Sequence, residues 1–366
     1  MSIVGGLDVH RRQITFNYVD TDTGQVSAGR IHPADRPHLR AWLAKRFAGR
    51  TQVHLAFEAG TGWRYVAEEI TAAGLCPHLA EPAQTSDKRG KKKKAKTDRA
   101  DARLQRDLLL KRDLPECWIP PGIVLDCRAL LETYRDLQEQ HEGWVQRIQA
   151  VLYHHGVPHL GPLDLTRPAG RQRLVEAVAA HLPATGRWQV TVALRQIDRL
   201  QAELEPAARQ ITQIARRMRG PRLLHKQLYG VGPITALALT SWLGGADRGF
   251  SSRAAVRFTG LDVTVKASDS KRVGRPELSR QGPPVLRWAL YEAAKLSAQT
   301  RAPDHDYYTS VKDRIDGKRA TLSEARKITR KAIHRLAPLG DDAFTLDPPR
   351  GNSKPIEALG VTAQHP

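Results

Sequence analysis

Residues 3–10, IVGGLDVH, followed at residues 13–20 by QITFNYVD, decide how the first part of this chain folds. Both runs are strand-like and are separated only by a short polar turn at His10 to Arg12, so residues 2–19 are expected to form a β-hairpin. Outward from it, a helix carrying Leu39, Trp42 and Leu43 leads to a strand at Val53 to Glu58. A helix from about Trp63 to Ala73 and a short strand near Cys76 to Ala80 come next. Strands interleaved with helices imply a mixed α/β layer fold.

Residues 88–96, KRGKKKKAK, are a basic low-complexity loop whose like charges repel and which offers little apolar surface for packing. A helix is expected from Asp98 to about Arg112, and Pro120-Pro121 closes the first domain. From Ile123 the apolar period changes. Ile123, Cys127, Leu130, Tyr134, Leu137, His141, Trp144, Ile148 and Val151 alternate spacings of four and three. A second seam runs Ile197, Leu200, Leu204, Ala207, Ile211, Ile214 and Met218. The pair reads as an antiparallel helical hairpin, an intermolecular coiled coil or two ordinary amphipathic helices, with Pro206 a point for a kink. Pro221 to Leu339 reads as largely helical, and the stretch from Gly340, rich in Pro, Gly and Asp, as an unstructured tail. The expected division is 1–121, 122–220, 221–339 and 340–366.

The 366 residues are 40% hydrophobic, which supports packed cores rather than general disorder. Lys and Arg outnumber Asp and Glu by 58 to 38, a net charge of +20 that favours a polyanionic partner. The three cysteines, Cys76, Cys117 and Cys127, form no CxxC pair, which argues against a disulfide framework or a zinc finger. No apolar run approaches a membrane span and no signal-peptide pattern opens the chain, so a soluble protein of a reducing cytoplasm is expected.

Four acids stand out. Asp8 and Glu58 each sit at or near the end of an apolar strand, and Asp98 and Asp101, three apart, share one face at the start of a helix. If the strands are neighbours and the helix crosses their ends, the carboxylates converge into an oxygen-rich site for Mg²⁺ (or Mn²⁺). Two such ions serve phosphodiester cleavage. Singly, the acids read as a helix N-cap (Asp98), a first-turn acid (Asp101) and solvated strand ends.

Taken together, GLDVH, FEAG and KTDRADA resemble, in order and spacing, the DEDD transposases of bacterial insertion sequences, the IS-one-ten family. The resemblance implies an α/β N-terminal domain of ribonuclease-H-like fold, similar to the resolvase RuvC. A helical coiled-coil middle and a mainly α C-terminal transposase domain would follow. LYGVGPITALAL at residues 228–239 resembles the glycine turn of a helix-hairpin-helix, with Gly230 and Gly232 letting backbone amides approach a DNA phosphate. A plain helix–turn–helix is the alternative.

The run FTGLDVTVKASDSKRVGRPELSRQGPPVLRWALYEAAK at residues 258–295 resembles the C-terminal domain, in which a serine forms a covalent link to DNA. Ser268 matches it, with Ser270 and Ser279 as competitors, because VKASDSK stands where many relatives have a glycine-rich turn. Lys266, Lys271, Arg272, Arg275, Arg280 and Arg287 are cations that would hold the phosphate. Lys91, Lys92, Lys93, Lys94, Lys96 and Arg99 are expected to meet nucleic-acid backbone beside the acids. The resemblance further implies double-stranded donor and target DNA, an element-encoded noncoding guide RNA, a homo-oligomer (dimer or tetramer), no membrane, and a cytoplasmic, nucleoid-associated location.

Other readings are a junction-selective nuclease with water as nucleophile, a sugar-kinase or actin-like phosphotransferase that shares the GLDVH strand, and a non-enzymatic architectural protein. The phosphotransferase lacks a second glycine-rich phosphate loop.

Overall fold

The computed structural model describes residues 2–348 apart from 51, 89–96, 162–164, 166, 246–247, 249, 265–266, 269–270 and 273–276, with backbone alone at 264, 267–268 and 271–272. The chain divides into two compact units, Met1–Pro120 and Pro121–Pro366.

The first unit is a six-stranded sheet. β1 (Ile3–Val9), β2 (Ile14–Asp20) and β3 (Val26–Ile31) form an antiparallel meander, and the helix α1 (Arg36–Phe47) carries the chain to β4 (Val53–Glu58), which pairs parallel with β1. Then α2 (Trp63–Ala72) leads to β5 (Cys76–Ala80), parallel to β4. α3 (Pro82–Asp87) and α4 (Asp98–Leu110) precede the two-residue edge strand β6 (Glu116–Cys117). The strand order is β3-β2-β1-β4-β5-β6. The hairpin, β4, α2 and β5 match the expectation, and β3 is an addition that makes Val53–Glu58 the fourth strand.

Strand alternation gives the sheet two different faces. Ile3 and Leu7 of β1, with Leu55 and Phe57 of β4, pack against Leu39, Leu43 and Phe47 of α1 and Val66 and Ile70 of α2. α1 and α2 are also joined by a buried carboxylate, Glu69, which accepts hydrogen bonds from Arg36 (3.1 Å) and Arg40 (2.8 and 3.0 Å). The opposite face carries α4, which lies across β1, β2 and β4. It comes this close because β1 has no side chain at Gly6: a Cβ there would stand 2.1 Å from the Ala102 carbonyl oxygen and 2.5 Å from the Arg106 nitrogen.

The second unit is mostly helical. α5 (Gly122–His154), α6 (Pro168–His181) and α7 (Ala184–Arg217) are followed by α8 (Arg219–Gln227), α9 (Pro233–Leu243) and α10 (Ser252–Phe258). Four two-residue strands then form two ribbons: β7 (Val263–Thr264) pairs with β10 (Glu277–Leu278), and β8 (Ala267–Ser268) with β9 (Lys271–Arg272). α11 (Pro284–Lys295), α12 (His305–Arg314) and α13 (Gly317–Leu336) complete the unit.

α9 is apolar all round and buries every residue from Ala236 to Leu243, so it is the central helix of this core. α5 and α7 pack on one another antiparallel. Cys127 and Leu131 share a cluster with Ile211 and Ile214, while Ile148 and Leu152 share another with Val190, Ala193 and Ile197. The helix continues through Pro206.

The chain beyond Gly340 differs from the expected tail. Ala337–Phe344 forms 3-10 turns that bury Ala343 and Phe344, and Met218 bridges to Leu346. The remaining tail, 349–366, lies outside the described residues. No helix among the described residues is long and apolar enough to cross a membrane.

Candidate metal centre

β1 and β4 run parallel with Leu7 opposite Phe57, so Asp8 and Glu58 are the next residues on adjoining strands. Neighbouring strands are about 5 Å apart, and residues in register project from the same face. Here that face is the one covered by α4. The helix begins with Thr97 as its N-cap, whose hydroxyl accepts from the Ala100 N–H at 3.2 Å. Thr97, rather than Asp98, therefore caps the helix, and both Asp98 and Asp101 are first-turn acids.

Asp8, Asp98 and a third residue, His10, each offer a ligand atom within 4.8 Å of the others, the one such group of three found among the described residues. His10 Nε2 lies 3.0 Å from Asp8 Oδ2 and 3.7 Å from Asp98 Oδ1. Asp98 Oδ2 also accepts from Gln13 Nε2 at 2.9 Å, a tie between α4 and the hairpin turn. Asp101 is 9% exposed. Glu58 lies outside the group of three and is linked to α4 by Gln105, whose Nε2 donates to Glu58 Oε1 at 3.0 Å.

Burial pushes the Asp8 carboxyl up to about 6; His10 opposes the shift, and the charges of Asp101 and Asp98 add to it. An acid so placed is stabilised as a carboxylate by a cation among these oxygens. Two buried polar atoms on the same face have no hydrogen-bond partner. One is Thr15 Oγ1, on the β2 residue directly opposite Asp8, and the other is Gln105 Oε1, beside Glu58. The donor chemistry and these atoms fit a hydrated divalent cation.

His10, Gln13, Gln105 and Gly6 are absent from the sequence-based site. His10 could have been found by carrying strand alternation one step past Val9, which sets residues 8 and 10 on one face. The glutamines carry no pattern that distinguishes them.

The other expected residues divide by position. Lys91, Lys92, Lys93, Lys94, Lys96, Lys266, Ser270 and Arg275 lie outside the described residues. Ser268, Lys271 and Arg272 are described by backbone only, in the β8–β9 ribbon where Ser268 pairs with Lys271. Arg99 is exposed in the first turn of α4.

Ser279 donates to the carboxylate of Asp262. Arg280 holds a left-handed backbone, φ 54°, and Arg287 donates from Nη1 to the Gly282 carbonyl. Burial, with Arg280 nearby, lowers the pKa of Arg287. Gly230, φ +78°, sits against α11, where a Cβ would lie 2.6 Å from the Ala293 carbonyl oxygen. Around Gly232, at the N-cap of α9, there is open space. Trp242 belongs to the buried core around α9, and Trp288 packs against that core.

Comparison with protein families gives two matches. A model described as Transposase, the DEDD type of IS110, covers residues 5–156. A second, described as Transposase IS116/IS110/IS902 family, covers residues 223–309. No curated protein matches the chain.

Proposed function

Because this chain belongs to the IS110 family of DEDD transposases, matched in both its N-terminal and C-terminal parts, we propose that it cuts and rejoins DNA with two chemical elements, the acidic centre of the first unit and a serine of the second. The observation that carries the proposal is the convergence of Asp8, Asp98 and His10 at the strand ends, with Asp101 and Glu58 adjoining, inside the segment matched by the DEDD model.

In this reading the first unit is a ribonuclease-H-like, RuvC-like domain, which its strand order supports. Asp8, Glu58, Asp98 and Asp101 hold Mg²⁺ or Mn²⁺. A divalent ion bound there supplies Lewis-acid stabilisation of charge on the scissile phosphate and its leaving oxygen. Gln105 holds Glu58 and Gln13 holds Asp98 by hydrogen bonds that would orient these carboxylates toward a bound ion. Ser268 Oγ attacks phosphorus, forming one P–O bond as the bond to a deoxyribose oxygen breaks, and its proton passes to solvent or a nearby base. Attack by a second DNA end reverses the step and restores the serine, so the bond energy is conserved. Arg280, Arg287, Lys271 and Arg272 neutralise the phosphate, and Lys91 to Lys94 draw the backbone toward the acids.

The family resemblance and the net charge of +20 also support an element-encoded guide RNA. The antiparallel pair α5 and α7 supports an oligomer. Between Leu131 and Ile148, α5 buries no residue fully, and the exposed side turned away from α7 is the surface proposed to meet another copy. Segment 122–220 is therefore the proposed assembly region and 221–339 the serine domain.

A denaturing gel of end-labelled element DNA, with the flanking DNA co-expressed and Mg²⁺ present, tests the proposal. A protease-sensitive protein–DNA adduct is expected, lost in both Ser268→Ala and Asp8→Asn. Cleavage without an adduct that survives Ser268→Ala would instead establish a junction nuclease using water.

A further inference from the structure

We propose that His10 is a nitrogen donor to the divalent cation of the Asp8 centre, and that the resulting mixed donor set selects manganese(II) over magnesium. The inference rests on the cation-binding reading above. It concerns a residue outside the four acids, and a property, ion selectivity, that four carboxylates alone, which suit Mg²⁺ and Mn²⁺ alike, would leave weak.

The geometry comes first. Neighbouring ligand atoms on an octahedral ion of this size are about 3 Å apart, given metal–ligand distances near 2.1 Å. His10 Nε2 and Asp8 Oδ2 are separated by 3.0 Å, and His10 Nε2 and Asp98 Oδ1 by 3.7 Å. The 3.0 Å contact is a hydrogen bond between His10 and Asp8, and a cation that displaced its proton would find the ring nitrogen at ligand spacing from both acids. The backbone holds it there, because the His10 N–H donates to the Gln13 carbonyl at 3.0 Å and closes the turn immediately after β1. The His10 side chain is 54% exposed, so ligation requires little further desolvation of the ring.

Thr15 supplies an independent observation. It is 1% exposed, its Oγ1 has no hydrogen-bond partner, and it is the cross-strand neighbour of Asp8. Antiparallel partners project from one face of the sheet. The unsatisfied hydroxyl therefore lies on the face that carries Asp8, where a water of a hydrated cation would complete its bonding.

Chemistry then decides which ion. Mg²⁺ is hard, binds oxygen and gives up its water reluctantly, whereas Mn²⁺ accepts imidazole as well as carboxylate. Replacing one oxygen donor by a ring nitrogen shifts the balance toward the transition ion.

The test uses the full-length protein with Mn²⁺ as the probe, followed by electron paramagnetic resonance, with Mg²⁺ as competitor. In the wild type, pulsed measurements on bound Mn²⁺ are expected to show coupling to a directly ligated ¹⁴N nucleus. His10→Gln should lose that coupling and bind Mn²⁺ about 10-fold more weakly, with Mg²⁺ affinity changed by less than about 3-fold. Unchanged thermal unfolding of metal-free His10→Gln establishes that the variant is folded. Asp8→Asn should abolish binding of both ions. Mn²⁺ that binds in an Asp8-dependent way, without nitrogen coupling that depends on His10, overturns the proposal and leaves the acidic centre standing. Absence of any Asp8-dependent binding overturns both.

Discussion

Gly6 and Ala102 meet backbone to backbone: a Cβ on residue 6 would stand 2.1 Å from the Ala102 carbonyl oxygen, one pleat before Asp8 on the strand and one residue after Asp101 on the helix. The distance between the carboxylates on β1 and those on α4 is therefore set by the lack of a side chain at Gly6.

Gly6→Ala is expected to lift α4 off the sheet. Overpacking of this kind costs about 1–3 kcal/mol, measurable as a shift in urea midpoint. Displacing Asp98 from Asp8 by about 1 Å should lower metal-dependent DNA cleavage on the order of 100-fold. Wild-type cleavage by a folded Gly6→Ala protein would show that the spacing is not critical.

Gln105→Leu separates metal affinity from stability. It removes the donor to Glu58 and, at the same time, a buried Oε1 that has no partner. The two effects on folding oppose one another, so the urea midpoint should change little. Glu58 loses its orientation, and divalent-ion affinity should fall about 10- to 100-fold by titration calorimetry.

Asp8 makes the stability of the metal-free protein depend on pH. Its folded-state pKa is raised from 3.8 to about 6, chiefly by burial, so the folded chain binds the proton more tightly than the unfolded one. Stability is then lost as pH rises from about 4 to about 6, and the penalty stays in full above that range. Asp8→Asn should accordingly be more stable than wild type at pH 7 to 8, by about 1–3 kcal/mol, with the difference vanishing below about pH 4. Denaturation in the presence of a chelator measures it. Adding Mg²⁺ at pH 7.5 should stabilise wild type and not the variant.

Gly230 and Gly232 are only two residues apart and are expected to respond differently. Gly230→Ala places a Cβ against the Ala293 carbonyl in a left-handed backbone, which should cost about 1–3 kcal/mol in thermal stability. Gly232 has ordinary φ, −74°, and open space where a Cβ would stand, so alanine there should leave folding unchanged. If this turn approaches a DNA phosphate through its amides, Gly232→Ala should weaken DNA binding several-fold in a filter assay. Unchanged affinity would leave the turn a packing element alone.

Much of the first unit could be read from residue order because its strands are short apolar runs bounded by turns. β5 spans Cys76–Ala80 as expected, and Trp63 opens α2. β3 escaped because it is a largely exposed edge strand, VSAGRI, with Ile31 its only buried residue. α6, Pro168–His181, escaped because alanine and arginine blur its apolar stripe. In the second unit both seams correspond to long helices, yet only the ends of α5 are fully buried. Periodicity identifies which face of a helix is apolar, but not what covers it.

The acids stand out in the sequence because strand ends and a three-residue helical spacing are local patterns, and the structure groups two of them, Asp8 and Asp98, with His10. The residues that hold them do not stand out. Gln13 and Gln105 act across 85 and 47 residues of chain, and such partners become evident only once the sheet and α4 are assembled.

The two glycines of β1 also determine what happens when the strand is paired wrongly. Gly5 faces Leu55 and Tyr18, with 2.8 and 2.9 Å available to an added Cβ, while Gly6 faces α4. Each bare position answers a different neighbour. A slip of one residue exchanges the faces, driving Leu7 toward the helix and Asp8 into the apolar layer of Val66 and Ile70. A misaligned chain thus forfeits its core and its acids in the same event.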